Sequence, residues 1–342
     1  MSKFKIIVFM CIALSFMVSC GNNEETDLMS VSTMVNKTVE GDECIVKLNG
    51  ETFKGCDVQF VRYENEPAKL KMILTGLNPM RPIEAVVDLT QEENRILFSG
   101  SASGIYEDCH LEGIYSELWR ENGKYQAPRV RLNIDYRSAF SCVDKNEFYF
   151  KIDGNCITNR IADNGQFPYL KNVLKNMGLI YAKYINRMKF EFNDDGTLDV
   201  FKQAPGDDEL TLWHKLRYWP SQTNDIYIEF TEEQAKEFYD MWIGGEATNL
   251  RDIMLYNETG GGKYCLLVSC LYVNGLNSKV MFSLSDYKIN YIAFEQFTKQ
   301  KGKDIDDEQF KSDVQRMLKD WKNENDNYTV KGRWSIGIMT ES

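Results

Sequence analysis

The chain has 342 residues, 43% hydrophobic and 13% aromatic, with 40 basic against 51 acidic side chains and a formal charge of −11. That apolar content suffices to bury real cores and excludes a globally disordered chain. The negative charge, with no basic patch against it, repels phosphate backbones and argues against nucleic acid as a partner.

Lys3 and Lys5 precede an apolar run, Ile6 to Val18, broken only by Ser15; Ser19-Cys20 and the polar run Gly21 to Asp27 follow at once. At about 1.5 Å per helical residue that run reaches only ~20 Å, short of the roughly 30 Å a spanning helix needs. A charged start, a short apolar stretch and a small residue before the cut make a secretory leader, and a Cys at the cut makes it a lipoprotein leader. The expectation is cleavage of residues 1–19, lipid on the Cys20 sulfur and anchorage to a membrane of the cell envelope. The competing reading is a plain leader with an incidental Cys. No second apolar run is long enough to span a bilayer, so lipid is the expected anchor. Residues 20–41 are polar with scattered apolar positions and read as a tether.

From 42 to 156 the sequence changes to short β-rich runs: 43–48, 52–63, 68–74, 83–89, 95–101, 109–115, 127–134 and 147–152. Val130, Leu132 and Ile134 alternate with Arg129, Arg131 and Asn133, the period of a half-buried strand. Eight such runs without a good helical pattern between them predict an antiparallel meander, closed as a barrel or a sandwich to remove its edges. Seven cysteines besides Cys20 follow the leader, an odd number without a repeated framework. Cys44 and Cys56 flank the hairpin signal Asn49-Gly50 and are the most local disulfide pair. A two-residue turn there puts Cys44 opposite Gly55, one short of Cys56, so a bridge needs a bulge; the alternative is buried free thiols.

Residues 157–342 mix helices and strands and predict an α+β domain after the all-β one. A helix is expected over 167–176, with Pro168 in its first turn and Gly178 just past its end. Strands 188–192 and 198–203 join through Asn193-Asp194-Asp195-Gly196, and 210–219 pairs with 225–230. Thr231-Glu232-Glu233-Gln234 is a capping box opening a helix that Gly244-Gly245 stops. Strands follow at 264–273 and 280–284, then the strongest helical stripe, Phe310, Val314, Met317, Leu318 and Trp321, within 304–323. A final strand is read over 328–338.

Catalytic signatures are absent. His110 and His214 sit in no HExxH and beside no patterned nucleophile, GxSxG does not occur, and Gly260-Gly261-Gly262-Lys263 lacks both the spacing and the following Ser or Thr of a phosphate loop. Acidic clusters lack the EF-hand pattern and no CxxC exists, so neither metal nor cofactor is expected. Five of the six tryptophans lie in the second half, and Tyr218-Trp219-Pro220 ends a strand. Trp213, Tyr218 and Trp219 are therefore the ligand-contact candidates, because exposed rings stack on sugars and apolar molecules. The competing reading is core, since aromatics suit any sheet.

The lipobox Val18-Ser19-Cys20, the acidic Glu24, Glu25 and Asp27 behind it, and the β-rich stretch opening near Leu48-Asn49-Gly50 resemble the calycin-like lipoproteins of gut Bacteroidetes. The resemblance covers residues 1–155 and implies a lipocalin-type barrel behind a lipid anchor in the outer membrane, exposed at the cell surface. The expected function is a non-enzymatic envelope lipoprotein that binds a small apolar ligand or a glycan, at the barrel mouth or at the second-domain aromatics. The alternative is an interaction module whose acidic surface and helix 304–323 dock a partner envelope protein.

Overall fold

A computed structural model describes residues 28–106, 108–116, 120–121, 124–125, 129–137, 146–159, 168–221, 225–245, 250–258, 261–272, 279–326 and 336–341. Cys20, the segment 1–19 expected to be a leader, and Cys142 lie outside them. The chain is mainly β, built on two curled antiparallel sheets, each a half-barrel.

The first sheet comprises β1 (Thr38–Val39), β2 (Cys44–Leu48), β3 (Glu51–Phe53), β4 (Asp57–Arg62), β5 (Lys69–Thr75), β6 (Ile83–Gln91), β7 (Arg95–Ala102), β8 (Cys109–Ser116) and β11 (Val130–Tyr136); β9 (Arg120–Glu121) and β10 (Lys124–Tyr125) form a separate small pair. The order across the sheet is β1-β4-β5-β6-β7-β8-β11-β2-β3. All its pairings are antiparallel except β11 with β2, where Val130 lies opposite Cys44. The run 52–63 is two strands, because Lys54, Gly55 and Cys56 break it and Gly55 adopts φ +80°. Every second residue of β11 points inward. The concave side is filled: Phe60 packs edge-on against Phe98 at 5.3 Å and Tyr115 at 6.0 Å, all three almost fully buried.

The fold begins earlier than the sequence suggests. Met29, Met34 and Val39 are buried in this first core, Met29 N–H donates to Glu92 O, and Tyr115 Oη donates to Thr33 O. Residues 28–41 are thus part of the body, not tether. Three apolar residues five apart match neither the helical nor the strand period, which hid them.

The second sheet holds β12 (Glu147–Lys151), β13 (Ile157–Asn159), β14 (Arg187–Phe192), β15 (Thr197–Gln203), β16 (Thr211–Pro220), β17 (Asp225–Phe230), β18 (Leu255–Asn257), β19 (Lys263–Tyr272), β20 (Val280–Leu284) and β21 (Ile336–Met339). Its order is β12-β14-β15-β16-β17-β19-β20-β21-β13, with β18 beside β19. The strand at 147–151, grouped by sequence with the first half, pairs with β14 and buries Phe148 and Phe150 in the second core. The division between sheets therefore falls between Tyr136 and Glu147 rather than at residue 156.

Among the described residues, four helices cover this sheet: α1 (Pro168–Tyr181), α2 (Glu232–Trp242), α3 (Tyr287–Lys299) and α4 (Glu308–Asp326), the last packed on α1 and α3. α1 runs through Gly178 instead of stopping there. A Cβ at that position would stand 2.1 Å from Asp153 O, so Gly178 serves close approach of a neighbouring backbone, not termination. α2 opens on the expected box: Thr231 Oγ1 accepts from Gln234 N–H, and Gln234 Oε1 accepts from Thr231 N–H. α3 is absent from the sequence reading, although Asp286 caps it by accepting from Lys288 and Ile289 N–H. In α4 the stripe Phe310, Met317 and Trp321 is fully buried, Trp321 stacking on Phe294 of α3 at 5.7 Å. That apolar stripe is covered within the chain itself.

The two sheets meet through β16. Trp219, 0% exposed, stacks on Tyr136 of the first sheet at 5.2 Å. Asn49, at φ +50° in the β2–β3 turn, accepts from Tyr136 N–H at 2.8 Å and donates through Nδ2 to Tyr136 O at 3.0 Å and to Asp195 O of the second sheet at 2.8 Å.

Candidate functional site

Between the concave face of the second sheet and α1, α2 and α3 lies an apolar cavity of about 200 Å³. Its walls include Met177, Leu198, Val200, Leu216, Phe230, Phe238, Trp242 and Phe282. Phe282 anchors an aromatic wall, with ring centroids 5.0 Å from Phe148, 5.6 Å from Phe150 and 5.7 Å from Phe190. Alternation along β15, β16 and β19 sends Leu198, Val200, Leu216, Leu266 and Val268 inward from neighbouring strands. A pocket with hydrophobic and aromatic walls and few polar groups is the usual form of a small-molecule site.

Ser283 and Asn290 line the cavity, and a further polar group sits at the β15–β16 bulge. β15 and β16 pair regularly from Thr197 opposite Arg217 to Val200 opposite His214, and then slip so that Phe201 faces Leu212. Trp213 is the extra residue of this β-bulge. A bulge re-aims side chains, and here both Trp213 and His214, adjacent in sequence, line the same cavity with ring centroids 4.5 Å apart. Glu237 of α2 lies over them. Its Oε2 accepts from Trp213 Nε1 at 3.3 Å and stands 3.2 Å from His214 Nε2. Lys202 Nζ sits 4.3 Å from the Trp213 ring centroid, a cation over an aromatic face.

Burial pulls the His214 imidazole below its usual range; Glu237 opposes this and Lys202 adds to it. The ring is 9% exposed and is held neutral at pH 7.

A cleft of about 830 Å³ at the junction of the sheets is wider, and its walls are polar, carrying Glu112, Asp135, Asp194 and Asp195 together with Arg137. His110 borders it, engaged with Ser101 Oγ at 2.8 Å. No group of three or more His, Cys, Asp or Glu among the described residues could hold a metal ion.

The sequence-derived candidates divide. Trp213 is half-buried and lines the cavity. Tyr218 and Trp219 are core: Tyr218 is 1% exposed and donates to Asn193 O at 2.9 Å, and Trp219 belongs to the junction. The trio is therefore no exposed platform, because alternation puts Tyr218 in the second core and Trp219 on the face toward the first sheet, while the bulge alone brings Trp213 to the cavity. Cys44 and Cys56 are both free thiols. The register Val46 opposite Phe53 leaves Cys44 level with Gly55, and no bulge brings Cys56 into line. Burial, and after it Asp57, pushes the Cys44 thiol up to about 12, and burial, Cys44 and Asp57 push Cys56 up as well. Both stay protonated at neutral pH and resist thiol exchange.

His214, Glu237 and Lys202 were not legible as a site. A His beside Trp in a strand has no signature, and the bulge that joins them leaves no mark in the sequence. No family model, no curated protein and no solved structure matches this chain. Among the described residues, no helix is long and apolar enough to cross a membrane.

Proposed function

We propose that the chain is an envelope lipoprotein, anchored by lipid on Cys20, whose folded body binds one small apolar molecule in the cavity of the second sheet. The observation that carries the binding role is that cavity: about 200 Å³ with aromatic and aliphatic walls and few polar side chains. Apolar cavities of ~150 Å³ stay dry and accept a single aromatic ring, which sets the ligand at one ring or a short alkyl chain. The filled interior of the first sheet favours the second sheet over the barrel mouth, and the burial of Tyr218 and Trp219 favours an apolar ligand over a glycan. The curl of the first sheet is compatible with a calycin-like barrel, and the leader ending at Cys20 supports the outer-membrane address. Covering of the α4 stripe within the chain weighs against that helix as the docking face for a partner protein.

Native mass spectrometry of the folded chain after equilibration with 1-octanol or toluene tests the binding role. One equivalent is retained by the wild type and lost in Leu216→Trp, which fills the cavity from its wall. Retention of neither compound, or equal retention by Leu216→Trp, overturns it. Metabolic labelling with a fatty-acid analogue tests the anchor, and a Cys20→Ala chain must lose both label and membrane partition.

A further inference from the structure

Resting on the reading that the second-sheet cavity takes an apolar ligand, we propose that this ligand is a monocarboxylate, its body among the phenylalanines and its carboxylate at the mouth, received by Trp213, His214 and Lys202. The geometry already contains the stand-in. Trp213 Nε1 donates to a single carboxylate oxygen, Glu237 Oε2, at 3.3 Å, and His214 Nε2, from the adjacent residue, lies 3.2 Å from the same oxygen but outside hydrogen-bond geometry. Indole nitrogen is only a donor, and neutral imidazole donates from Nε2 when an acceptor faces that atom. The mouth therefore holds one engaged donor, Trp213 Nε1, beside a buried imidazole nitrogen that Glu237 approaches without a hydrogen bond and that a better-aimed carboxylate oxygen can engage.

Glu237 holds that position loosely. Its side chain is 49% exposed on the outer face of α2, where the carboxylate loses little by swinging into water, whereas His214 beneath it is nine-tenths buried. A ligand carboxylate tied to an apolar body gains burial that Glu237 does not, and so displaces it. Lys202 supplies the balancing charge. Its ammonium lies over the Trp213 ring and makes no ion pair with any carboxylate among the described residues, in a chain where acids outnumber bases 51 to 40. An unpaired cation beside the mouth of an apolar cavity favours an anionic head over a neutral or cationic one, and a charge-assisted hydrogen bond is about twice as strong as a neutral one.

The test compares three ligands with one body and different heads, octanoate, 1-octanol and octylamine, by isothermal titration. The protein is the whole chain from residue 20 with Cys20→Ala, kept free of detergent so that nothing else competes for the cavity. Octanoate binds about tenfold more tightly than 1-octanol, the gain expected of a hydrogen-bonded charged head, and octylamine binds most weakly. Glu237→Gln, which removes the competing carboxylate at a half-exposed position, tightens octanoate several-fold and leaves 1-octanol unchanged. Lys202→Met brings octanoate down to the affinity of 1-octanol. If 1-octanol equals octanoate, if octylamine binds best, or if Glu237→Gln weakens octanoate, the carboxylate assignment is overturned while the apolar cavity stands. If none of the three binds, the cavity reading falls with it.

Discussion

Replacing Phe282 with Leu separates two contributions that the cavity wall combines, apolar volume and ring geometry. Phe282 is 4% exposed and lies 5.0, 5.6, 5.7 and 6.2 Å, centroid to centroid, from Phe148, Phe150, Phe190 and Phe192, the first three edge-on and the last stacked. Leu keeps most of the volume, and hydrophobic swaps of similar size cost below about 1.5 kcal/mol. Each aromatic pair adds roughly 0.5–1.5 kcal/mol beyond its buried area. Four pairs sharing one ring, taken at the lower end of that range, contribute about 2 kcal/mol. The expected loss for Phe282→Leu is thus about 2–3.5 kcal/mol, against the ~5 kcal/mol expected at the upper end for Phe282→Ala. Urea unfolding at equilibrium reads it as a lower midpoint with an unchanged slope. Because Leu also leaves space adjoining the cavity, 1-octanol at a hundredfold its dissociation constant should return about 2.7 kcal/mol. A Phe282→Leu chain within about 0.5 kcal/mol of wild type, the ordinary scatter of a neutral substitution, would refute the argument and make the ring cluster mere apolar filling.

Two further outcomes follow from particular bonds. Asn49→Gly keeps the φ of +50° without strain but removes three hydrogen bonds, one of them the tie to Asp195 O; at about 1 kcal/mol each it costs ~2–3 kcal/mol in urea unfolding. Asn49→Asp keeps only the bond from Tyr136 N–H, sets a carboxylate against two carbonyls, and costs at least as much. His214 gives the chain a pH dependence whose sign is fixed: its folded value lies below the unfolded one of about 6.5, so below pH ~6.5 the unfolded chain binds the extra proton and stability falls with pH. His214→Gln flattens that fall, and unfolding midpoints measured from pH 7.5 to 5.5 that drop equally in both chains contradict it.

Local rules made much of the fold legible. The turn at Asn49-Gly50, the Asn193–Gly196 hairpin, the Thr231 capping box and the α4 stripe were readable because each is set by residues within one or two turns of chain. What escaped was set at a distance. β12 has the same alternating texture as the strands before it, and only its partner, β14, assigns it to the second sheet. Gly178 reads as a stop until the backbone of Asp153 is seen pressed against it. α3 was missed because Tyr287, Ile289, Tyr291, Ile292, Phe294 and Phe297 are residues that strands favour, although Ile289, Ala293 and Phe297 keep a four-residue spacing behind the Asp286 cap. The candidate site was the least legible part. Of Trp213, Tyr218 and Trp219, only the residue displaced by the bulge reaches the cavity, and the bulge is a property of pairing with β15 rather than of β16 alone.

That bulge also explains how one strand serves two cores. Beyond it, His214, Leu216 and Tyr218 point into the second core while Arg217 and Trp219 turn to the opposite face, where Trp219 meets Tyr136. With unbroken alternation, Trp213 would share the face of Trp219 and leave His214 without the indole that now meets Glu237 beside it. The extra residue lets Trp213 join His214 at the mouth without shifting the register of residues 214–217, which β15 fixes from Arg217 to His214. Deleting Trp213 should therefore leave the junction with the first sheet intact, with Trp219 still buried and its fluorescence unshifted. The mouth would lose the indole donor and the ring under Lys202, so octanoate binding would fall while the fold persisted.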